Sequence, residues 1–392
     1  MKIKPLVSSF ITLMKIGKSM RIGIPKETHH EEKRVAIVPA GVDSLVKYGH
    51  TVFIETDAGN GSHFSDEEYR NAGATIVYTR EEVYQRAEII AQISPLTERE
   101  VELLEEKQIV LAFHKFAVSE KNVIEGMLER KITAISYELI EQNDEAPILH
   151  SMSEIAGQLA VQIGERYLGS DFESGRGIMM GGITGVAPAA VVILGAGVVG
   201  LNAARAVIGR GAQVIVLDRD IKRLKRIENI LSKNITTVVA NPYTIARGVK
   251  FADLLICGVQ VRGEKVPHVI DEAMVKTMKK GAVIVDLSID HGGCVETSRP
   301  TTISDPVFVK HDVIHFCVPN IPAMAARTAS FGLSNALLDY IIDISNNGLS
   351  NAVLGDTDFS KGICTYNGFC SNQIIADTFN LEYRRLHIFS TN

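Results

Sequence analysis

Paired cysteines, one-sided charge and uninterrupted apolar runs are what this 392-residue chain has little of, and each shortage excludes a class of protein. Its five cysteines (Cys257, Cys294, Cys317, Cys364 and Cys370) are odd in number, fall in the C-terminal part and lack zinc-type spacing. That pattern excludes a disulfide framework and reads as reduced, buried thiols of a cytoplasmic protein. Nothing has metal-ligand spacing, so no metal is expected, and no serine or cysteine stands in a nucleophile elbow. Forty-one basic residues face 46 acidic ones, a net charge of −5 with no basic block, which speaks against nucleic acid as a partner. With 46% apolar and 22% charged residues, no repeat and no low-complexity tract, disorder, collagen and coiled coil are excluded as well.

Two stretches imitate membrane or targeting signals. Residues 1–20 carry four lysines and a short apolar patch, Pro5 to Met14, but that patch holds two serines and a threonine. No small-residue cleavage site follows, so the segment is expected to be an N-terminal extension, with Met14 and Met20 as alternative starts. Val186 to Ile208 is apolar enough for a bilayer, yet Pro188 and three glycines at turn-like spacing make it strand–turn–helix instead. No membrane partner is expected.

At roughly 150 residues per domain, the length predicts two to three domains. From Arg21 to about Phe113 short β-branched runs (RIGIP, TVFIET, AEIIAQI, QIVLAF) alternate with helical patterns, the signature of a parallel α/β sheet. Ser65 is placed to cap a short helix over Asp66 to Ala72. Ser151 and Glu154 have the spacing of a capping box opening a long helix that ends near Leu168. A glycine-rich connector at 174–186 then separates a second α/β pattern, with strands VVILG, QVIVLD, DLLICG and AVIVDLSID. Beyond Ala325 the pattern is helical, and these helices need the first domain to dock on.

The sharpest local signal is VVILGAGVVGLNAARAVIGRGAQVIVLD. Gly195, Gly197 and Gly200 have G-x-G-x-x-G spacing directly after a strand and at the start of a helix. The first permits a tight turn, the second admits a pyrophosphate to the backbone, and the third lets helix and strand pack closely. The helix N-terminus then offers unpaired N–H groups and a partial positive charge. Asp218 ends the next strand, where a carboxylate accepts from ribose hydroxyls and repels a 2′-phosphate. The pattern predicts NAD, although Arg219 and Arg223 stand where a 2′-phosphate could be met.

Outside the fingerprint, chemistry on a small polar substrate needs a cation and a proton carrier. Arg34 begins an apolar run after the first strand, and is either an ordinary snorkelling residue or a carboxylate ligand. His114 and Lys115 follow QIVLAF at a strand carboxyl end, where α/β sites gather. Asp290 and His291 end AVIVDLSID beside Gly292 and Gly293, and so face the ligand crevice. His29 and His30 lie in a charged turn and read as solvated.

Taken together, RIGIPKE, E-x-x-RVA-x-x-P-AGV, MSEIAG, GAGVVG, VDLSIDHGGC, SRPTT and HFCVPNIP resemble the NAD-dependent L-alanine dehydrogenase family across nearly all of residues 21–392. The first two parts are also similar to the NAD-binding component of proton-translocating transhydrogenase. The resemblance implies two doubly wound, Rossmann-like α/β domains: 21–150 with 327–392 for substrate, 151–326 for NAD, and 1–20 as an extension. It implies a homohexamer as well. Arg34 takes the place of the arginine that binds the substrate carboxylate, and Asp290 that of the catalytic aspartate. Asn320 falls near the nicotinamide, Ser153 on a cofactor-contacting serine, and Asp218 and Arg223 on the adenosine-ribose contacts. Gly195, Gly197, Val198, Val199 and Gly200, with Asn241, Val259, Gln260 and Leu287, complete the implied cofactor set.

One departure lies at the centre. Ser94 stands where the family has a substrate-binding lysine, and Lys115 where it has its catalytic histidine, with His114 one residue earlier. The expectation is that His114 keeps the acid–base role and Lys115 supplies the missing ammonium. Gln260 and Arg262 replace more apolar family residues and point to an altered pocket. The implied reaction is reversible oxidative deamination of L-alanine to pyruvate and ammonia with NAD. The alternatives are an opine- or saccharopine-type reductase on the same scaffold, or a transhydrogenase-like NAD-binding module.

Overall fold

The computed structural model describes residues 19–386 apart from His30, 117–118, Asp144, Lys233, 260–265 and Thr357. The expectations for residues 1–18, His30, Gln260 and Arg262 therefore lie outside the described residues. In chain order come β1 (Arg21–Ile24), α1 (Pro39–Lys47), β2 (Thr51–Glu55), α2 (Asp66–Asn71), β3 (Thr75–Val77), α3 (Arg80–Arg86) and β4 (Ile89–Ala91). Next are α4 (Glu98–Leu103), β5 (Ile109–Ala112), α5 (Lys121–Glu129), β6 (Thr133–Ser136), α6 (Pro147–Leu168), β7 (Ala190–Leu194) and α7 (Val198–Gly209). Then follow β8 (Gln213–Asp218), α8 (Ile221–Leu231), β9 (Thr236–Val239), α9 (Pro242–Phe251), β10 (Leu254–Cys257), α10 (Glu272–Val275) and β11 (Val283–Asp286). The chain closes with β12 (Val307–Lys310), β13 (Val313–Phe316), α11 (Ala326–Gly355), β14 (Ile363–Tyr366), β15 (Phe369–Cys370) and α12 (Gln373–Phe379).

The described residues fall into two compact units, one up to Leu149 together with the part from Ala326 onward, the other His150–Ala325. In the first, the sheet runs β15-β14-β6-β5-β4-β1-β2-β3. Its strands from β6 to β3 are parallel, whereas β14 and β15 join antiparallel. In the second, the order is β12-β13-β11-β10-β7-β8-β9, parallel except at β12. Both units therefore share the doubly wound pattern in which the chain starts mid-sheet, winds outward one way, then returns past the start to wind the other. The order reverses between β1 and β4 in the first unit and between β7 and β10 in the second, and such switch points open a crevice at the strand carboxyl ends.

The sequence explains why the sheets sit inside. β7, β10 and β11 are runs of Val, Leu and Ile buried at every position, as strands covered by helices on both faces must be. In the second unit one apolar cluster packs α6 and α7 on one sheet face, and another packs α9 and α10 on the other. Ser65 caps α2 as expected, with its hydroxyl accepting from the Glu68 amide and Glu68 reaching back to Ser65. Val186 to Ile208 is an irregular segment, β7 and α7; no described helix is long and apolar enough to cross a membrane.

Three local expectations are corrected. The long helix starts at Pro147, not at Ser151, because proline's fixed φ suits a first turn and Ile148 and Met152 are already buried. Ser151 and Glu154 are thus interior, and no capping box forms there. The strand expected to reach Asp290 ends at Asp286, whose side chain accepts from the Ser288 amide and turns Leu287–His291 into a single 3₁₀ turn. The tail is not all helical: β14 and β15 form a hairpin around Asn367 and Gly368, both with positive φ.

Candidate active site

The second unit builds a crevice from glycines. Gly195 follows β7 with φ +107°, and a Cβ there would meet the Gly258 carbonyl oxygen, just past β10, at 2.6 Å. At Gly200 a Cβ would fall on the Gly195 carbonyl oxygen, so only glycine lets α7 start this close to the turn. A Cβ on Gly197 would meet none of the described residues within 4 Å, its chain neighbours aside. It would project into open space where α7 begins with Val198 and Val199, a space of the kind a pyrophosphate fills. Asp218 at the end of β8 is buried, with Oδ2 accepting from the Ala196 amide at 2.7 Å and Oδ1 from the Asp220 amide at 2.8 Å. One carboxylate thus pins the glycine turn to the neighbouring strand.

The other cofactor candidates of this unit distribute unevenly. Val259 follows β10 and exchanges two hydrogen bonds with the Ser288 hydroxyl, next to Leu287. Both Asp290 carboxylate oxygens accept from the Asn320 amide, at 3.1 and 3.2 Å, so this aspartate and asparagine are brought together. Asn320 itself has φ +56°. Asn241 caps α9 beyond β9. Arg223 lies on α8, 59% exposed, with Nε 3.8 Å from Asp220. Ser153 is on α6 one turn before Gly157, where a Cβ would press on the Val199 carbonyl oxygen, so α6 packs directly against the start of α7.

The sequence analysis missed one further cluster here. Cys257, Asp286 and Cys294 place potential ligand atoms within 4.8 Å of one another in the core. Asp286 already accepts amide hydrogens from Ser288, Cys294 and Val295 on its two oxygens.

The first unit gathers charged groups at its own switch point. Arg34 does not snorkel; its guanidinium is buried and held by Glu32 through Nε–Oε1 and Nη2–Oε2 contacts of 2.8 and 2.7 Å. Both side chains are at most 4% exposed, and the guanidinium also lies over the Phe113 ring. Ser94, past the end of β4, is held at both backbone groups. Its amide donates to Glu27 Oε2 at 3.1 Å, and its carbonyl accepts from Gln92, whose Oε1 accepts in turn from the Tyr84 hydroxyl. Glu27 Oε1 takes the Ile93 amide at 2.6 Å. Burial, with the like charge of Glu32, pushes Glu27 up to about 7 against the pull of its bonds from Ser94 and Ile93.

Past β5 the two candidates part company. Lys115 has φ +49° and donates its amide to Glu138 Oε1 at 2.7 Å. Burial raises Glu138 too, and its Oε2 and the Tyr137 hydroxyl are buried without a hydrogen-bond partner. His114 instead points into the core. It is 1% exposed, stacks on Phe116 with centroids 4.9 Å apart, and has Nε2 3.3 Å from the Val110 carbonyl. Burial pushes it down to about 4. Burial thus sets His114 apart from Lys115, with its Nδ1 buried and without a hydrogen-bond partner among the described residues. Glu27, Glu32 and Glu138 were missed by the sequence analysis; the one signal for Glu27 was its place two residues after Pro25 at the end of the first strand.

The family model described as alanine dehydrogenase/PNT, N-terminal domain, matches residues 23–156, and the one described as alanine dehydrogenase/PNT, C-terminal domain, matches 160–373. An alanine dehydrogenase of Methanococcus maripaludis is 43% identical over 93% of this chain and 98% of its own length. One of Staphylococcus epidermidis is 40% identical over the same shares. A solved L-alanine dehydrogenase superposes with a TM-score of 0.87 at 37% identity, covering 92% of this chain and 99% of its own. A transhydrogenase from Sinorhizobium meliloti, 23% identical with a TM-score of 0.77 over 90% of this chain and 99% of its own, shares the fold.

Proposed function

The chain belongs to the alanine dehydrogenase/PNT family, and we propose that it catalyses the reversible NAD-dependent oxidative deamination of L-alanine to pyruvate and ammonium. The observation that carries this reading is the full-length likeness to alanine dehydrogenases, which leaves neither unit unmatched. The opine-type and transhydrogenase-like alternatives are not favoured, since the likeness to a transhydrogenase is at 23% identity and speaks only to fold.

The residues of the second unit fit a dinucleotide: an open cradle at Gly197, the start of α7, and a carboxylate at the end of β8. NAD, when bound, supplies the hydride acceptor. Asp218 keeps a lone pair on each oxygen for ribose hydroxyls and disfavours a 2′-phosphate, the basis for NAD over NADP. His150–Ala325 is accordingly the NAD-binding domain, and the remainder the substrate domain.

In that substrate domain Arg34 would hold the carboxylate of alanine or pyruvate by its planar fork, with Glu32 fixing the fork before the substrate arrives. Lys115 and Ser94 would act on the substrate in this domain; in the NAD-binding domain Asp290 would stabilise positive charge developing in the reaction. Asn320 would orient Asp290 through its amide.

The test is NADH oxidation in the presence of pyruvate and ammonium, by the wild type and by Arg34→Lys. The wild type is expected to turn over. Arg34→Lys keeps a charge but loses the fork, and should raise KM for pyruvate by about 10- to 100-fold, each decade being about 1.4 kcal/mol. Wild-type protein that binds NADH but does not aminate pyruvate would overturn the reading.

A further inference from the structure

Ligands of doubly wound sheets lie where the strand order reverses, and in the first unit that is between β1 and β4. Glu27 spans this point: beyond β1, it accepts the amides of Ile93 and Ser94, beyond β4, at 2.6 and 3.1 Å. The Ser94 hydroxyl also hydrogen-bonds this carboxyl group. We propose that Glu27 and Ser94 form a proton-transfer couple, in which the Ser94 hydroxyl touches the reacting carbonyl oxygen and Glu27 restores its proton. Glu27 is then a positioning residue acting through Ser94. The inference rests on the amination reading above.

In the amination direction the step balances as follows. The ammonia nitrogen bonds to the carbonyl carbon, the C=O π bond breaks, and the oxygen takes the Ser94 Oγ proton. Ser94 takes the Glu27 proton in the same movement, and the resulting carboxylate is held by the two amides it already touches. The nitrogen, left with three hydrogens and a positive charge by the attack, gives one proton to solvent, and solvent returns one to Glu27. In deamination the carboxylate draws the carbinolamine hydroxyl proton back through Ser94. The reverse path uses the same atoms.

Three features make the pair suited to this. Ser94 cannot drift, because Gln92 holds its carbonyl at 2.9 Å and Tyr84 holds Gln92 at 2.6 Å. Among the described residues the carboxyl group has no cation paired with it: Lys26 turns to Asp57, and Arg34 is paired with Glu32. The other titratable groups bearing on Glu27 are Glu32, which repels it, and the hydroxyls of Tyr84 and Tyr137, which burial keeps protonated. With burial as the largest cause, Glu27 sits at about 7 and carries a proton at neutrality in a fraction large enough to donate.

The test compares amination rates of the wild type, Glu27→Gln and Ser94→Ala across the range from about pH 5 to about 9. Ammonium ionisation is common to all three and cancels in the ratio of variant to wild type. Both variants should be slower by about 100-fold at the acid end, with the deficit shrinking above neutrality as Glu27 ionises. The double variant should be no worse than either single one. A merely structural role for Glu27 would give a deficit flat with pH, and that result, or a loss below about twofold, would overturn the couple. An infrared titration supplies a readout free of turnover: a carboxyl C=O band that titrates near neutrality and is missing from Glu27→Gln. A wild type without that band sinks the couple even if pyruvate is aminated. A wild type with the band but without amination sinks the reaction assignment instead.

Discussion

His114 and Lys115 differ by one position and by burial, the first buried and the second half-buried. The loop after β5 puts Lys115 at positive φ, so the side chain before it turns inward and stacks on Phe116. A ring pushed down to about 4 by burial, from an ordinary 6.5, binds fewer protons folded than unfolded between those values. The stability it contributes as a neutral group is present above pH 6.5 and is lost progressively as pH falls toward 4. His315, which burial also pushes down to about 4, adds a second share of the same sign. Melting His114→Leu should therefore show a shallower fall in Tm between neutral and mildly acid pH than the wild type, with the His315 share remaining. An unchanged slope would mean that His114 is not neutral in the folded chain. The sequence singled out both residues but not their difference in burial, because alternation fails once a strand gives way to a turn.

At the scale of elements, the glycine turn between β7 and α7 separates packing from binding. Gly197→Ala adds a methyl group where, chain neighbours aside, no described residue has an atom within 4 Å, whereas Gly200→Ala drives one onto the Gly195 carbonyl. The first should melt within a few degrees of wild type yet bind NADH at least tenfold more weakly; the second should lose stability by about 1–3 kcal/mol as well. Paired thermal melts and NADH fluorescence titrations read both, and equal losses of stability would refute the distinction. This turn was legible because its constraints are local: three glycines, a strand and a helix within one stretch of chain. The Ser65 cap was legible for the same reason, although its box with Glu68 was not read. The β14–β15 hairpin was equally local, with Asn367-Gly368 as its signal, but strands of four and two residues show too little alternation to outweigh the helices around them. Glu27 was legible only by its place after the first strand. Its burial and its two amide donors come from β4, more than sixty residues away, and nothing near Pro25 records them.

Over the whole molecule, one winding pattern occurs twice and sets two switch points to different work. In the second unit the reversal between β7 and β10 is lined by glycine backbone and closed by Asp218, a surface for phosphate and ribose. In the first the reversal between β1 and β4 is lined by side chains, Glu27 and Ser94, with the Arg34–Glu32 pair just beyond β1. Backbone donors bind a constant group, and side chains perform the chemistry that distinguishes one relative from another. Hydrogen exchange can separate the two, because a ligand protects the amides it orders and stabilises only what it binds. NADH alone should protect the peptides carrying Gly195 to Leu201 and Leu287 to Asp290, and leave those carrying Lys26 to Arg34 and Gln92 to Thr97 near their unliganded rates. Pyruvate added to the NADH complex should then slow exchange at Ile93 and Ser94. In Glu27→Gln that slowing should weaken, since a neutral amide replaces the carboxylate on both N–H groups, while the NADH-protected peptides stay as in the wild type. Protection of the β1–β4 peptides by NADH alone would show instead that the first switch point responds to the dinucleotide, and the division of labour argued from the two crevices would be wrong.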